Sequence, residues 1–269
     1  MPRRLQEKPM KFLDPLKLAQ ITGRPIQAGE TFGFACHSDL GCFTRCCRNL
    51  NLFLYPYDML RLKTNLNLTS DQFIDRHVDI VLRDGHHFPE VLLRMADDEQ
   101  HSCPFLAPSG CRVYADRPHT CRTFPVEQGV LYDAATRRGT PISFFRPPDF
   151  CLGRYEVRTW SIETWNQDQE SNRHHDFNLS WAELRRLFEN DPWGAEGPRG
   201  ARAKMVFMAA YNLDPFRDFV FSSTFLNRFH VKAELVKKLR RSDEALLTFG
   251  FEWIRIFVWG QPSKMIRMR

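Results

Sequence analysis

Long apolar runs are missing from this chain: stretches such as MVFMAAY at 205–211 fall far short of the ~20 residues that a bilayer span requires. The opening MPRRLQEKPMKF is basic and lacks the apolar stretch of a secretory signal. A cytoplasmic location is therefore expected. G-x-S-x-G, Walker, dinucleotide-binding and H-E-x-x-H patterns are also missing, so no catalytic residue is assigned and the question of an enzymatic activity stays open. Cysteine is missing from everything after residue 151, and that absence turns attention to the part before it.

All eight cysteines lie between Cys36 and Cys151, and the 118 residues after Cys151 contain none. Cysteines used only as small core residues scatter over a chain; confinement to one half points to a site. In a reducing compartment a disulfide framework is excluded as their main role. The rest of the composition is that of a globular protein: 269 residues with 43% hydrophobic and 26% charged side chains can bury a sizeable core. The formal charge of +6 counts every thiol as neutral. Each divalent metal held by four thiolates lowers that count by about two. Arg45, Arg48, Arg112, Arg117 and Arg122 lie within a few residues of a cysteine, where they offset thiolate charge. Nucleic acid is therefore not the expected partner; a protein is.

The pattern predicts an α+β chain, with a cysteine-rich lobe of short strands, loops and helices packed with an all-helical C-terminal half. Composition divides it into an arm (1–30), a cysteine-cluster metal-binding domain (31–154) and a helical region (155–269). NLNLFLYP at 49–56 alternates and predicts a strand. Pro56 suits the first turn of a helix. Thr69 and Gln72 have capping-box spacing and predict a helix over about 70–82. EVLLRM at 90–95 reads as a strand, and GCRVYADRP as one helical turn. Residues 155–175 carry helical spacing of Tyr155, Trp160, Ile162 and Trp165, and Ser180 with Glu183 predicts a further helix start. The Gly- and Pro-rich GAEGPRG at 194–200 reads as a linker. Helices are expected at about 215–228, 231–240 and 243–259.

The cysteines run Cys36-x5-Cys42-x3-Cys46-Cys47, then Cys103-x7-Cys111-x9-Cys121, then Cys151. A tetrahedral thiolate centre is satisfied by four ligands, so Cys36, Cys42, Cys46, Cys47, Cys103, Cys111, Cys121 and Cys151 make two sets, or one set with supporting thiols. Structural zinc usually employs C-x2–4-C knuckles; Cys42-x3-Cys46 could make one such pair, and no C-x2-C occurs. The long, irregular spacings suit a cluster reached from several loops. The expected cofactor is an iron–sulfur cluster, 4Fe-4S, with zinc as the alternative. His37 and His119 are the histidines placed within these motifs.

The segments CHSDLGCFTRCC (36–47), CPFL (103–106), CRVY (111–114), RPHTCRTFP (117–125) and Cys151 together resemble the YkgJ-like family, the zinc- or iron-chelating CxxCxxCC domain. The resemblance covers about residues 34–153. Its first motif here is longer than C-x2-C-x2-CC, and in that respect it is similar to the cysteine arrangement of flagellin lysine methylases. The resemblance implies a metal site on the eight cysteines and leaves the reaction open. Three functions follow as expectations: an iron–sulfur protein with a redox or electron-transfer role, a zinc-stabilised interaction module, or a methylase-like enzyme acting on a protein lysine.

Overall fold

The computed structural model describes residues 12–13, 25–133 and 138–269, and it shows the α+β class read from the sequence. Most of the arm expected at 1–30 lies outside the described residues. The backbone gathers into two compact units that interleave along the sequence, one taking residues 1–53 and 94–182, the other 54–93 and 183–269. All eight cysteines belong to the first.

The first unit is built around the antiparallel pair Val126–Asp133 and Arg138–Phe145, in register from Val126 opposite Phe145, with Phe12–Leu13 running parallel beside it. A second small ladder pairs Phe32–Gly33 with Thr159–Trp160. Their inner side chains meet in a core of Phe32, Phe34, Val126, Cys151, Trp160 and Trp165. Phe34 meets Trp165 edge-on at 5.6 Å between ring centroids. Both indoles find acceptors in this core: Trp160 Nε1 donates to Phe34 O at 2.8 Å and Trp165 Nε1 to Thr123 O at 3.0 Å. A buried indole N–H without an acceptor is costly, so these two bonds fix the ring positions as much as apolar burial does.

The single helix expected over 155–175 is interrupted. Thr159–Trp160 is strand, and the helix Ile162–Asp168 starts only after Ser161, whose Oγ accepts from Thr164 N at 3.2 Å. Glu170, at φ 50°, then breaks the chain before Asn172–Leu187 begins. Ser180 lies inside that last helix and donates to Asp176 O at 3.0 Å, so it bends back on the preceding turn instead of capping a new helix.

In the second unit Pro56–Asn65 and Ser70–His77 are helices as expected, the latter opened by the Thr69–Gln72 box. The second helix ends at His77 because the β-branched run that follows pairs as a strand, Val78–Val81 against Glu90–Leu93. No strand forms at 49–56; Leu52 to Tyr55 are buried in extended backbone, held where Leu54 N meets Val91 O at 2.8 Å. Residues 194–200 are a turn leading into the helix Ala201–Tyr211, followed by Leu213–Ser222, Phe225–Arg228, Ala233–Arg241 and Asp243–Trp259. Gly250 lets the last helix approach its neighbour: a Cβ there would stand 2.3 Å from Ala209 O. Lys63, nearly buried, bridges Asp214 at 3.0 Å and Asp243 at 2.9 Å. Among the described residues no helix is long and apolar enough to cross a membrane.

Candidate metal centre

The first four cysteines sit on a chain that curls. Phe34 N donates to Arg158 O at 2.8 Å and Ala35 N to Gly153 O at 3.2 Å, which anchors the start of this segment beside residues 151–158. Gly153 is required there, because a Cβ would stand 2.3 Å from Ala35 O and 2.8 Å from a Phe34 ring carbon. Successive turns follow, closed by Phe43 N to Leu40 O at 2.8 Å, Arg45 N to Cys42 O at 2.9 Å and Cys47 N to Thr44 O at 3.0 Å. Thr44 takes the left-handed conformation at φ 62°, opening the 3₁₀ turn Arg45–Cys47. The five- and three-residue spacers are thus spent in tight turns, and they bring thiols close that a strand would have carried apart.

The second group is tied to the first through backbone. Cys103 N donates to Cys47 O at 2.8 Å, with Arg48 bridged to Ser102 alongside. A small hairpin, Leu106–Ala107 against Gly110–Cys111, sets Cys111 opposite Leu106, while Leu106 N reaches Cys103 O at 3.0 Å. Gly110, at φ 119°, makes that turn. Cys121 lies on the short helix His119–Thr123.

Arg117 and Arg122, expected from sequence to offset thiolate charge, are both buried and grip oxygens of the surrounding chain. Arg117 bonds Tyr114 O at 2.6 Å and Gln169 Oε1 at 2.8 Å; Arg122 bonds Gln169 O at 2.6 Å and Ala115 O at 2.5 Å. They clamp the walls of the cysteine region.

All eight cysteines are free thiols. Cys36 is exposed, Cys151 is buried and the other six are partly buried. Backbone N–H groups are aimed at several sulfurs. Cys103, Cys111 and Cys151 accept from Phe105, Val113 and Gly153, in each case two residues on, and Cys42 Sγ accepts from Leu152 N at 3.2 Å. Such donors stabilise sulfur that carries negative charge.

The thiols also sense one another. Burial first, then repulsion from Cys151, Cys42 and Cys47, raises the Cys36 thiol above its ordinary range. Burial is the leading cause for Cys103, pushed up to about 11, with Cys47 and Cys111 contributing. Burial likewise raises Cys111, which lies near Cys47, and Cys151, which lies near Cys42. Cys46 and Cys47 share a hydrogen bond that raises the first and lowers the second, so this adjacent pair holds one proton more readily than it holds two. Cys46 also feels Cys121 and Cys36.

Every thiol singled out in the sequence therefore lies within electrostatic reach of another. Among the described residues, no group of three or more His, Cys, Asp or Glu is set at the spacing of a closed metal site. What the structure brings together is a field of thiols that repel one another as thiolates, with backbone N–H donors on four of the sulfurs. A donor set of this chemistry fits a thiophilic metal, because coordination replaces the proton on each sulfur and turns repulsion between thiolates into shared attraction to a cation.

The histidines divide differently from the sequence reading. His37 is half exposed, 3.7 Å from both Asp39 and Glu156, among carboxylates. His119 is buried, its ring 6.1 Å from that of His174 and 6.4 Å from that of His175. His174 is buried, and His175 is partly buried beside Gln128, with burial lowering its tendency to take a proton.

Residues 35–145 match the model of the CxxCxxCC family, described as a "putative zinc- or iron-chelating domain". Seven of the eight cysteines fall inside the match, and Cys151 lies just beyond it. No solved structure matches this chain.

Proposed function

Because residues 35–145 belong to the CxxCxxCC family of zinc- or iron-chelating domains, we propose that this protein carries an iron–sulfur cluster on its cysteines and works in electron transfer with a protein partner. The observation that carries the proposal is the set of N–H donors on sulfur, from Phe105, Val113, Gly153 and Leu152, together with the burial of Cys151 in the core that holds Phe34. Hydrogen bonds to sulfur and exclusion of water are the levers by which a protein sets a cluster's reduction potential. Cys36, Cys42, Cys46, Cys47, Cys103, Cys111, Cys121 and Cys151 are the ligand pool, and a bound cluster would supply one-electron storage. Arg48, Arg112, Arg117 and Arg154 act electrostatically on the thiols of Cys47, Cys111 and Cys151 and offset their charge as thiolates. A reducing, cytoplasmic setting keeps the thiols available.

A zinc-stabilised interaction module is the second reading. It is favoured by the scarcity of regular structure at 36–53, where turns and a short bridge to residues 101–103 hold the chain and a metal would do the work of a core. Anaerobic purification followed by visible absorption and electron paramagnetic resonance separates the two. Broad absorption near 400 nm that bleaches reversibly on reduction, with a paramagnetic reduced state, is expected. A colourless protein with stoichiometric zinc would replace the first reading by the second.

A further inference from the structure

The hairpin of the second unit has an edge that the fold leaves open. Val78–Val81 pairs antiparallel with Glu90–Leu93, and Ile80 stands opposite Val91. Val91 O is taken from the far side, by Leu54 N at 2.8 Å. A residue in such a ladder points its N–H and C=O the same way, so Val91 turns both toward Leu54. Ile80 opposite it then turns its own N–H and C=O outward, away from Glu90–Leu93. Val78 has the same parity, and its N–H is spent on Ile74 O at the end of the preceding helix. Among the described residues no strand pairs with this outer edge. Its side chains do not blunt it: Ile80 is 49% exposed and Val81 39%, and VDIV contains neither Lys nor Pro. An apolar edge of this kind is a template for another strand.

We propose that a second copy of this chain pairs with this edge, antiparallel, about a two-fold axis through Ile80. In that register the outward Ile80 N–H of each copy donates to the Ile80 carbonyl of the other, and the two isoleucine side chains meet. Arg76, exposed in the last turn of the preceding helix, falls on the rim opposite Asp84 of the second copy, which is exposed in the turn after the strand. The neighbouring registers fail. An axis through Asp79 sets two carboxylates face to face. An axis between Asp79 and Ile80 opposes an inward-facing residue to an outward-facing one, and it sets Arg76 against Arg83 and Asp75 against Asp84. In the register through Ile80, Arg83 falls opposite His77, and its charge is already met by Glu90. The charges thus make the edge complementary to itself, as a two-fold interface requires, and that is why the occupant is a second copy. A strand of four residues makes a small seam, so the association is weak and depends on concentration.

The test uses the full chain under reducing conditions, followed by sedimentation from about 1 µM to about 300 µM, a range that spans weak association. A monomer–dimer equilibrium is expected, with hydrogen exchange at the Ile80 amide slowing as dimer forms. Ile80→Lys should leave the chain monomeric throughout. Arg76→Asp and Asp84→Arg should each raise the dissociation constant roughly tenfold, since each changes attraction to repulsion at two symmetric places. R76D/D84R should return it to near the wild-type value. Wild-type chain that stays monomeric at every concentration would overturn the proposal, whether the edge then stays bare or takes another protein's strand. So would a dimer whose affinity is unchanged by Ile80→Lys, or one weaker in the double reversal than in either single. Should Ile80→Lys fail to fold by circular dichroism, the charge reversals decide alone, because both residues are exposed and lie outside the strand.

Discussion

Replacing Gly153 by alanine tests how the fold brings sulfurs together without touching any sulfur. The added methyl would stand 2.3 Å from Ala35 O and 2.8 Å from the Phe34 ring, where ordinary contact begins near 3.4 Å. Neither neighbour yields cheaply. Ala35 O is backbone, and Phe34 is packed against Trp165 with its carbonyl bonded to Trp160. Relief therefore requires residues 34–36 to move away from 151–153 by roughly 1 Å, at an overpacking cost of about 1–3 kcal/mol. In a chain of this size each kcal/mol lowers the melting temperature by roughly 2–4 °C. The same displacement separates Cys36 from Cys151, and disturbing the support of a metal site typically weakens metal affinity by roughly 10–100-fold. Thermal denaturation with and without metal, together with zinc competition against a chelator of known affinity, reads both effects. The loss of stability should be larger in the metal-loaded protein than in the stripped one. Wild-type melting and wild-type affinity in Gly153→Ala would refute the claim that this close approach positions the first cysteine against the last.

Arg122→Ala removes two charged hydrogen bonds, to Gln169 O and Ala115 O, and leaves both carbonyls to find new donors. Destabilisation of about 2–4 kcal/mol is expected in denaturant titration, and Arg122→Lys should rescue only part of it because one ammonium cannot reproduce the fork. Lys63→Ala removes the cation that Asp214 and Asp243 share, leaving Asp243 with Arg217 and Asp214 with the Ser70 N–H, at a cost of about 1–3 kcal/mol. Metal content per folded chain should nonetheless stay at the wild-type value, and a drop in that content would contradict the assignment of metal to the cysteine-bearing unit. In metal-free protein the Cys103 thiol titrates at about 11, above its ordinary value near 9, so the folded state holds a proton that the unfolded state has lost between those values. Its stabilising contribution is complete below about pH 9 and falls as pH rises toward 11, and urea titrations at pH 8 and pH 10.5 should show the decline. Zinc uptake runs the other way, strengthening from pH 6 to pH 8 because thiols must release protons to bind; affinity independent of pH would count against thiolate ligation.

The sequence discloses some parts of this architecture and conceals others for definite physical reasons. Pro56, the Thr69–Gln72 box and the apolar 243–259 segment carry local signals strong enough to place their helices. The capping reading of Ser180 fails because its helix already runs from Asn172, and a serine in mid-helix bonds backward as easily as one at a start bonds forward. Residues 49–56 have the alternation of a strand but bury Leu52 through Tyr55 together, a packing that needs partners far away in sequence. The ligand pool is legible because eight cysteines crowd one half of the chain and fall in recognisable motifs. How they group is hidden, since it is set by long-range bonds such as Ala35 to Gly153 and Cys47 to Cys103 that no spacing encodes. The buried His119 and His174 escape for the same reason: their burial depends on a helix packing back onto the cysteine region.

The most direct test of thiol-held metal is elemental analysis for iron, zinc and acid-labile sulfide on protein purified without exposure to oxygen. Iron and sulfide in equal amounts, at about four of each per occupied cluster, are predicted. Zinc without sulfide would keep the thiol site and remove the cluster. Neither metal at stoichiometric level, with all eight thiols free to react, would contradict the account.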